Sequence, residues 1–139
     1  MSTRKANAEW SGTLKEGKGT MKFANYEGPY TFASRFEEGE GTNPEELVGA
    51  AHSGCFSMFL SGLISKENLV AESVKTEAVV HLGSDDTGAL ITSIELHCEV
   101  KCEGLSEAKL QELAQASKEK CPISRLVSPT RVEMSVRLI

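Results

Sequence analysis

From Leu47 to Ser65 the chain carries no Lys, Arg, Asp or Glu. An uncharged run of this length belongs in a membrane, in a protein core or in an interface between subunits. Its beginning is marked. Thr42 or Asn43 is a capping residue, Pro44 suits the first helical position, and Glu45 and Glu46 put negative charge in the first turn. The pattern predicts a helix from Pro44 to about Ser65 or Asn68. His52, four serines and three glycines dilute the hydropathy of the run. That favours burial in a core or dimer, with no membrane span.

The segments around this helix read mostly as strands. Ala8, Trp10 and Leu14 partly alternate with polar residues, Gly17-Lys18-Gly19 marks a turn, and Thr20 to Phe23 makes a second short strand. Tyr30 to Phe36 reads as a third, with Tyr30, Phe32 and Phe36 on one face. Beyond the helix, Ala71–Leu82 and Ala89–Cys102 form two strands joined by a Gly83–Gly88 hairpin loop. Ser106 caps a second helix, with Leu105 and Leu110 spaced as a hydrophobic staple. Leu110, Leu113, Ala114, Ser117 and Cys121 follow its 3.6-residue period, and Pro122 ends it. Arg131 to Ile139 alternates as a last strand. The order is βββ-α-ββ-α-β, an α+β fold in a single domain spanning residues 1–139.

The 139-residue chain carries a net charge of −5, and its basic residues form no stripe, which argues against nucleic acid as a partner. No apolar segment follows the charged N-terminus, Met1 to Asn7, so the expected location is cytoplasmic. Four cysteines in that compartment stay reduced, bind metal or do chemistry. Cys98 and Cys102 share a strand face with Ile94, Leu96 and Val100 and read as small core hydrophobes. Cys55 lies inside the uncharged helix, and Cys121 stands where the second helix ends. His52-x-x-Cys55 could be half a zinc site, whose two further ligands only His81, His97 or the other cysteines could supply, and His52 reads better as a buried, hydrogen-bonded histidine.

Two stretches carry a resemblance. Thr42-Asn43-Pro44-Glu45-Glu46-Leu47-Val48-Gly49-Ala50-Ala51-His52-Ser53-Gly54-Cys55-Phe56-Ser57-Met58 resembles the first cysteine motif of the osmotically inducible protein C (OsmC) and organic hydroperoxide resistance (Ohr) family. Lys118-Glu119-Lys120-Cys121-Pro122-Ile123-Ser124 resembles the second. His52 before Cys55, and an arginine shortly before the Asn-Pro motif, are similar to the OsmC branch. The resemblance implies an OsmC-like fold with a buried central helix in an intertwined homodimer. It implies a cysteine-based peroxidase that reduces organic hydroperoxides, and hydrogen peroxide more weakly. Cys55 is then the peroxidatic cysteine, Cys121 the resolving one, and Arg35 and Glu45 the organising pair. The implied cycle passes through a Cys55 sulfenic acid and a Cys55–Cys121 disulfide, with no bound cofactor and an external dithiol as reductant, the candidates being a dithiol of the lipoyl type and a lipoylated protein. Arg125 and Arg131 are alternative cations. Rival readings are a non-enzymatic thiol redox sensor and a small-ligand-binding dimer.

Physical chemistry adds two expectations. A thiol buried in an apolar helix needs a nearby cation to ionise, and Arg35 held by Glu45 can supply one. On a straight helix, however, Glu45 and Cys55 lie about 15 Å apart along the axis. Either the helix breaks near Gly49 or Gly54, or the Glu45 that serves a given Cys55 comes from a second subunit. Phe56, Met58, Phe59 and Phe36 are candidates for an apolar substrate lining.

Overall fold

The computed structural model describes residues 2–139, which group into two compact units divided between Leu47 and Val48. In the first, β1 (Asn7–Ser11), β2 (Lys18–Phe23) and β3 (Tyr26–Tyr30) form an antiparallel meander in the order β1-β2-β3. Ala8 faces Met21, which faces Gly28 on the other side. Phe23 pairs with Tyr26 across a two-residue turn, in which Ala24 adopts φ 48°.

The third strand thus ends at Tyr30, earlier than its alternation suggests. Phe32–Phe36 is a short helix, α1. The cause is local. Thr31 caps it by accepting the Ser34 N–H at 3.1 Å, and the Ser34 hydroxyl accepts the Thr31 N–H at 2.8 Å. This reciprocal capping box satisfies donors that a strand would send to a neighbour. Phe32 and Phe36 share a face at helical spacing too, with ring centroids 5.0 Å apart, so the aromatic pattern fits both periods.

α2 spans Pro44–Lys66 without a break. Asn43 is its cap, accepting the Glu46 N–H at 2.8 Å. The Asn43 amide also donates to Glu46 Oε1 and to the Ser34 carbonyl, both at 3.0 Å. The Ser34 hydroxyl donates to the Thr42 carbonyl at 2.7 Å. The start of α2 is therefore tied to α1 through satisfied buried polar groups.

In the second unit, β4 (Ser73–Asp85) and β5 (Gly88–Lys101) are antiparallel, with a bulge at His81/Leu82. The strands run further than the expected Gly83–Gly88 loop, pairing Asp85 with Gly88. Asp85 supports the tight turn by accepting the Thr87 N–H at 2.8 Å, and Gly88 supplies φ 123°. α3 (Glu107–Lys120) is capped by Ser106. α4 (Pro122–Leu126) follows at once, a five-residue helix that no sequence period announced. β6 (Arg131–Leu138) then lies parallel to β5, giving the order β4-β5-β6.

One core fills this unit. Phe56, Leu60 and Ile64 of α2 pack with Ile94, Leu96, Cys98 and Val100 of β5 and with Leu110, Leu113 and Ala114 of α3. Cys98 and Cys102 take their expected places as small buried hydrophobes. α2 has the length and hydropathy of a membrane span, yet it is a core helix. Its stripe of Gly49, His52, Phe56, Leu60 and Ile64 is buried in the protein. The opposite face, with Ala50, Ala51, Gly54 and Met58, is open in the single chain. The architecture is α+β, two three-stranded sheets with helices.

Candidate active site

Cys55 sits midway along α2, next to the buried Phe56 and itself half-buried. Burial pushes its thiol above the ordinary range. The Ile123 backbone N–H, aimed at the sulfur, pulls it back down in part. The neighbouring Cys121 side chain raises it again. The fold therefore makes Cys55 and Cys121 neighbours within one chain. Both are free thiols.

Local sequence explains how Cys121 arrives there. It is the C-cap of α3 and the N-cap of α4, with the extended ψ of 141° that a following proline favours. Its N–H reaches the Ser117 carbonyl at 3.0 Å, and its own carbonyl accepts the Arg125 N–H at 3.0 Å. The sulfur accepts the Ser124 N–H at 3.3 Å, and the thiol donates to Ser124 Oγ at 3.1 Å. Cys121 is 0% exposed. The expected core-facing position holds. The end of α3 is a tightly bonded corner that reaches Cys55.

His52 lies one turn before Cys55 and is fully buried. Its Nε2 is 2.8 Å from Ser124 Oγ. Burial lowers its pKa from the ordinary 6.5, so the ring is neutral at pH 7. The expectation of a buried, hydrogen-bonded histidine is met. Its partner Ser124 was not foreseen, because the two are brought together from distant elements. Among the described residues, no three His, Cys, Asp or Glu side chains are grouped to hold a metal.

The other two sequence candidates lie near the start of α2. Arg35, in the last turn of α1, meets Glu45 in the first turn of α2. The guanidinium grips the carboxylate with two bonds, Nε to Oε2 at 3.2 Å and a terminal nitrogen to Oε1 at 2.7 Å. This is the fork geometry that holds an arginine in one orientation. The guanidinium carbon also lies 5.2 Å from the centre of the Phe36 ring. Arg35 borders a hollow of about 230 Å³, walled by Trp10, Leu14, Tyr30, Phe32 and Phe36. Of the lining residues expected from sequence, Phe36 belongs to this hollow, Phe56 is core, and Met58 is 80% exposed. α2 breaks at neither Gly49 nor Gly54, so the helical separation of Glu45 and Cys55 stands.

The family model described as OsmC-like protein matches residues 37–135. The chain is 40% identical to Peroxiredoxin OsmC of Escherichia coli K12 over 127 residues, 89% of each chain. It is 34% identical to the organic hydroperoxide resistance protein OhrB of Bacillus subtilis, over 73% of this chain and 72% of that one. Among solved structures, an OsmC-like protein of Vibrio cholerae superposes with a TM-score of 0.80 at 22% identity, covering 98% of this chain and 99% of its own. The crystal structure of B. subtilis OhrB gives 0.68 at 25% identity, covering 97% and 98%. Fold, paired thiols and relatives together define a cysteine-based peroxidase. The chain belongs to the OsmC-like protein family.

Proposed function

We propose that this protein reduces organic hydroperoxides, and hydrogen peroxide more weakly, with Cys55 as nucleophile and Cys121 as resolving thiol. The observation that carries the reading is the adjacency of the two free thiols. The Cys55 thiolate attacks the distal oxygen of R–O–OH. The O–O bond breaks, its electron pair leaves with the alkoxide, and protonation gives the alcohol. Cys55 is left as a sulfenic acid. Cys121 condenses with it, forming the Cys55–Cys121 disulfide and releasing water. An external dithiol, of the lipoyl type, restores both thiols by exchange.

Burial opposes ionisation of Cys55, and a fixed cation offsets it. Arg35, oriented by Glu45, has that role in this reading and also stabilises charge on the departing alkoxide. The aromatic hollow beside Arg35 favours an organic substituent on the peroxide. Along unbroken α2, Glu45 and Cys55 are about 15 Å apart. The proposed working unit is therefore a cytoplasmic homodimer, with the Arg35–Glu45 pair of one chain serving Cys55 of the other.

Peroxide consumption with tert-butyl hydroperoxide and several dithiols tests the reading. Cys55→Ser should abolish turnover. Cys121→Ser should consume about one equivalent per chain and then stall or overoxidise. Mass mapping of the oxidised wild type should find a Cys55–Cys121 disulfide. Wild-type turnover by Cys55→Ser would overturn the assignment. Thiol loss without turnover by any dithiol would mark a redox sensor instead.

A further inference from the structure

One buried titratable side chain has no part in that cycle. His52 is closed to solvent, yet it is not a bystander to the thiols. Its Nε2 touches Ser124 Oγ at 2.8 Å, and Ser124 Oγ touches Cys121 Sγ at 3.1 Å. A continuous line of hydrogen-bonding atoms runs from the resolving sulfur to an imidazole. We infer that Ser124 and His52 are the proton relay of Cys121, taking its proton while it attacks oxidised Cys55. The inference rests on the peroxidase reading above and adds a residue pair to it.

Three facts support it. First, the nucleophile in disulfide formation is a thiolate, and Cys121 is 0% exposed. Bulk water does not reach it, so the Ser124 hydroxyl it already donates to is a ready acceptor for its proton. Second, the Ser124 hydroxyl is the kind of group that relays, since it accepts on a lone pair while donating its own proton. It accepts from the Cys121 thiol, and the same oxygen faces Nε2. The Ser124 N–H fixes the sulfur against it at 3.3 Å. Third, burial keeps His52 neutral and able to accept. Its Nδ1 has no hydrogen-bond partner among the described residues. No carboxylate among them holds the ring in its charged form, which suits a group that must hand the proton back.

The step balances. The Cys121 S–H bond breaks, its proton passes to Ser124 Oγ, and the serine proton passes to Nε2 of His52. The freed sulfur pair forms the S–S bond to Cys55. The S–O bond of the sulfenic acid breaks, and hydroxide departs with its electron pair. The proton on Nε2 returns to neutralise that hydroxide, so water is the sole by-product. The oxidant is the peroxide that made the sulfenic acid.

The relay acts on one step only, and single-turnover kinetics isolates it. Reduced protein is mixed with one equivalent of tert-butyl hydroperoxide and quenched at intervals. A sulfenic-acid trap measures the first step, and mass spectrometry of the Cys55–Cys121 disulfide measures the second. Ser124→Ala should form sulfenic acid at the wild-type rate and disulfide about tenfold or more slowly. His52→Asn should match it, and the double variant should be no slower than either. Ser124→Thr, which keeps the hydroxyl, should restore the second step. Melting curves accompany each variant, and Ser124→Ala carries the test if His52→Asn fails to fold. A disulfide step in Ser124→Ala within about twofold of wild type overturns the relay. So does an equal slowing of both steps with a lowered melting point, which marks a packing role. If wild type forms no Cys55 sulfenic acid, the peroxidase reading falls and takes the relay with it. An intact wild-type cycle with unaffected variants defeats the relay alone.

Discussion

If Arg35 serves the Cys55 of the partner subunit, two dead variants should rescue each other. The magnitude follows from Coulomb's law. At about 4 Å and an effective dielectric constant near 20, one guanidinium favours a thiolate by about 4 kcal/mol. The Arg35 side chain is 36% exposed in the single chain, so solvent screening reduces this to roughly 2–3 kcal/mol. That is on the order of a hundredfold in rate. A charge about 15 Å away through a solvent-like medium contributes only about 0.3 kcal/mol, less than twofold. Arg35→Ala should therefore lose about a hundredfold in peroxide reduction, and Cys55→Ser should lose all of it. Two chains bearing different tags, one Arg35→Ala and one Cys55→Ser, are co-expressed and the mixed dimer is purified through both tags. With the pair supplied across a two-fold axis, one site carries both defects and the other carries neither. The mixed dimer should then show about half the wild-type turnover. Activity no higher than that of Arg35→Ala would show that arginine and cysteine act within one chain. Retention of near-wild-type activity by Arg35→Ala itself would move the cation's role to Arg125 or Arg131.

Asn43→Ala removes the α2 cap and leaves the buried Ser34 carbonyl without its donor. Denaturant unfolding should show a loss of about 1–2 kcal/mol, and Asn43→Asp should also lose stability because its carboxylate faces Glu46. His52 makes stability pH-dependent. Its folded pKa lies below the ordinary 6.5, so the unfolded chain takes up the proton first as pH falls. The contribution is complete above about pH 6.5 and is lost as pH drops toward the folded value. The denaturation midpoint should fall between pH 7.5 and 5, and by less in His52→Asn. A methyl group added at Gly62 would meet no heavy atom within 4 Å, so Gly62→Arg should leave the helix content unchanged. If the open face of α2 is the dimer contact, light scattering should show the variant shifted to monomer, and an unshifted dimer would place the contact elsewhere.

Much of this organisation was legible because single residues carry unambiguous physics. The uncharged run with Asn43-Pro44 before it marked α2, and alternation from Ile94 to Cys102 put Cys98 and Cys102 inside. Helical spacing from Leu110 aimed Cys121 at the core. The misses have causes as specific. Phe32 and Phe36 share a face in a strand and in a helix, and the Thr31–Ser34 box decided between them. Gly83, Ser84 and Asp85 are poor strand formers, yet ladder pairing with residues 88–90 holds them extended. α4 is too short to show a period. The adjacency of Cys55 and Cys121, and of His52 and Ser124, joins elements far apart in the chain. No local pattern encodes such contacts. The thiol pairing was available only as something the resemblance implied, and the Ser124 contact not at all.

α2 meets two demands that usually conflict. A nucleophile on a core helix is shielded from side reactions, but the same shielding holds it in the unreactive thiol form. One stripe of α2, with His52, Phe56, Leu60 and Ile64, supplies the dry anchor. Cys55 lies at the edge of that stripe and is half-buried, which in the proposed cycle leaves it within reach of a peroxide. Between Leu47 and Ser65 the rest of the helix is as uncharged as its core stripe, although Ala50, Ala51, Gly54 and Met58 are open in the single chain. A helix face meant for water carries charges, and this one carries none between Leu47 and Ser65. Small side chains at Gly54 and Gly62 leave room for a close neighbour, whereas a side chain added at Gly49 would come within 3.3 Å of Val80. The same stretch of sequence thus accounts for a buried anchor, a reachable thiol and a second surface that needs covering. In the proposed homodimer, a second copy of the chain would cover it and bring an arginine to each thiol at once.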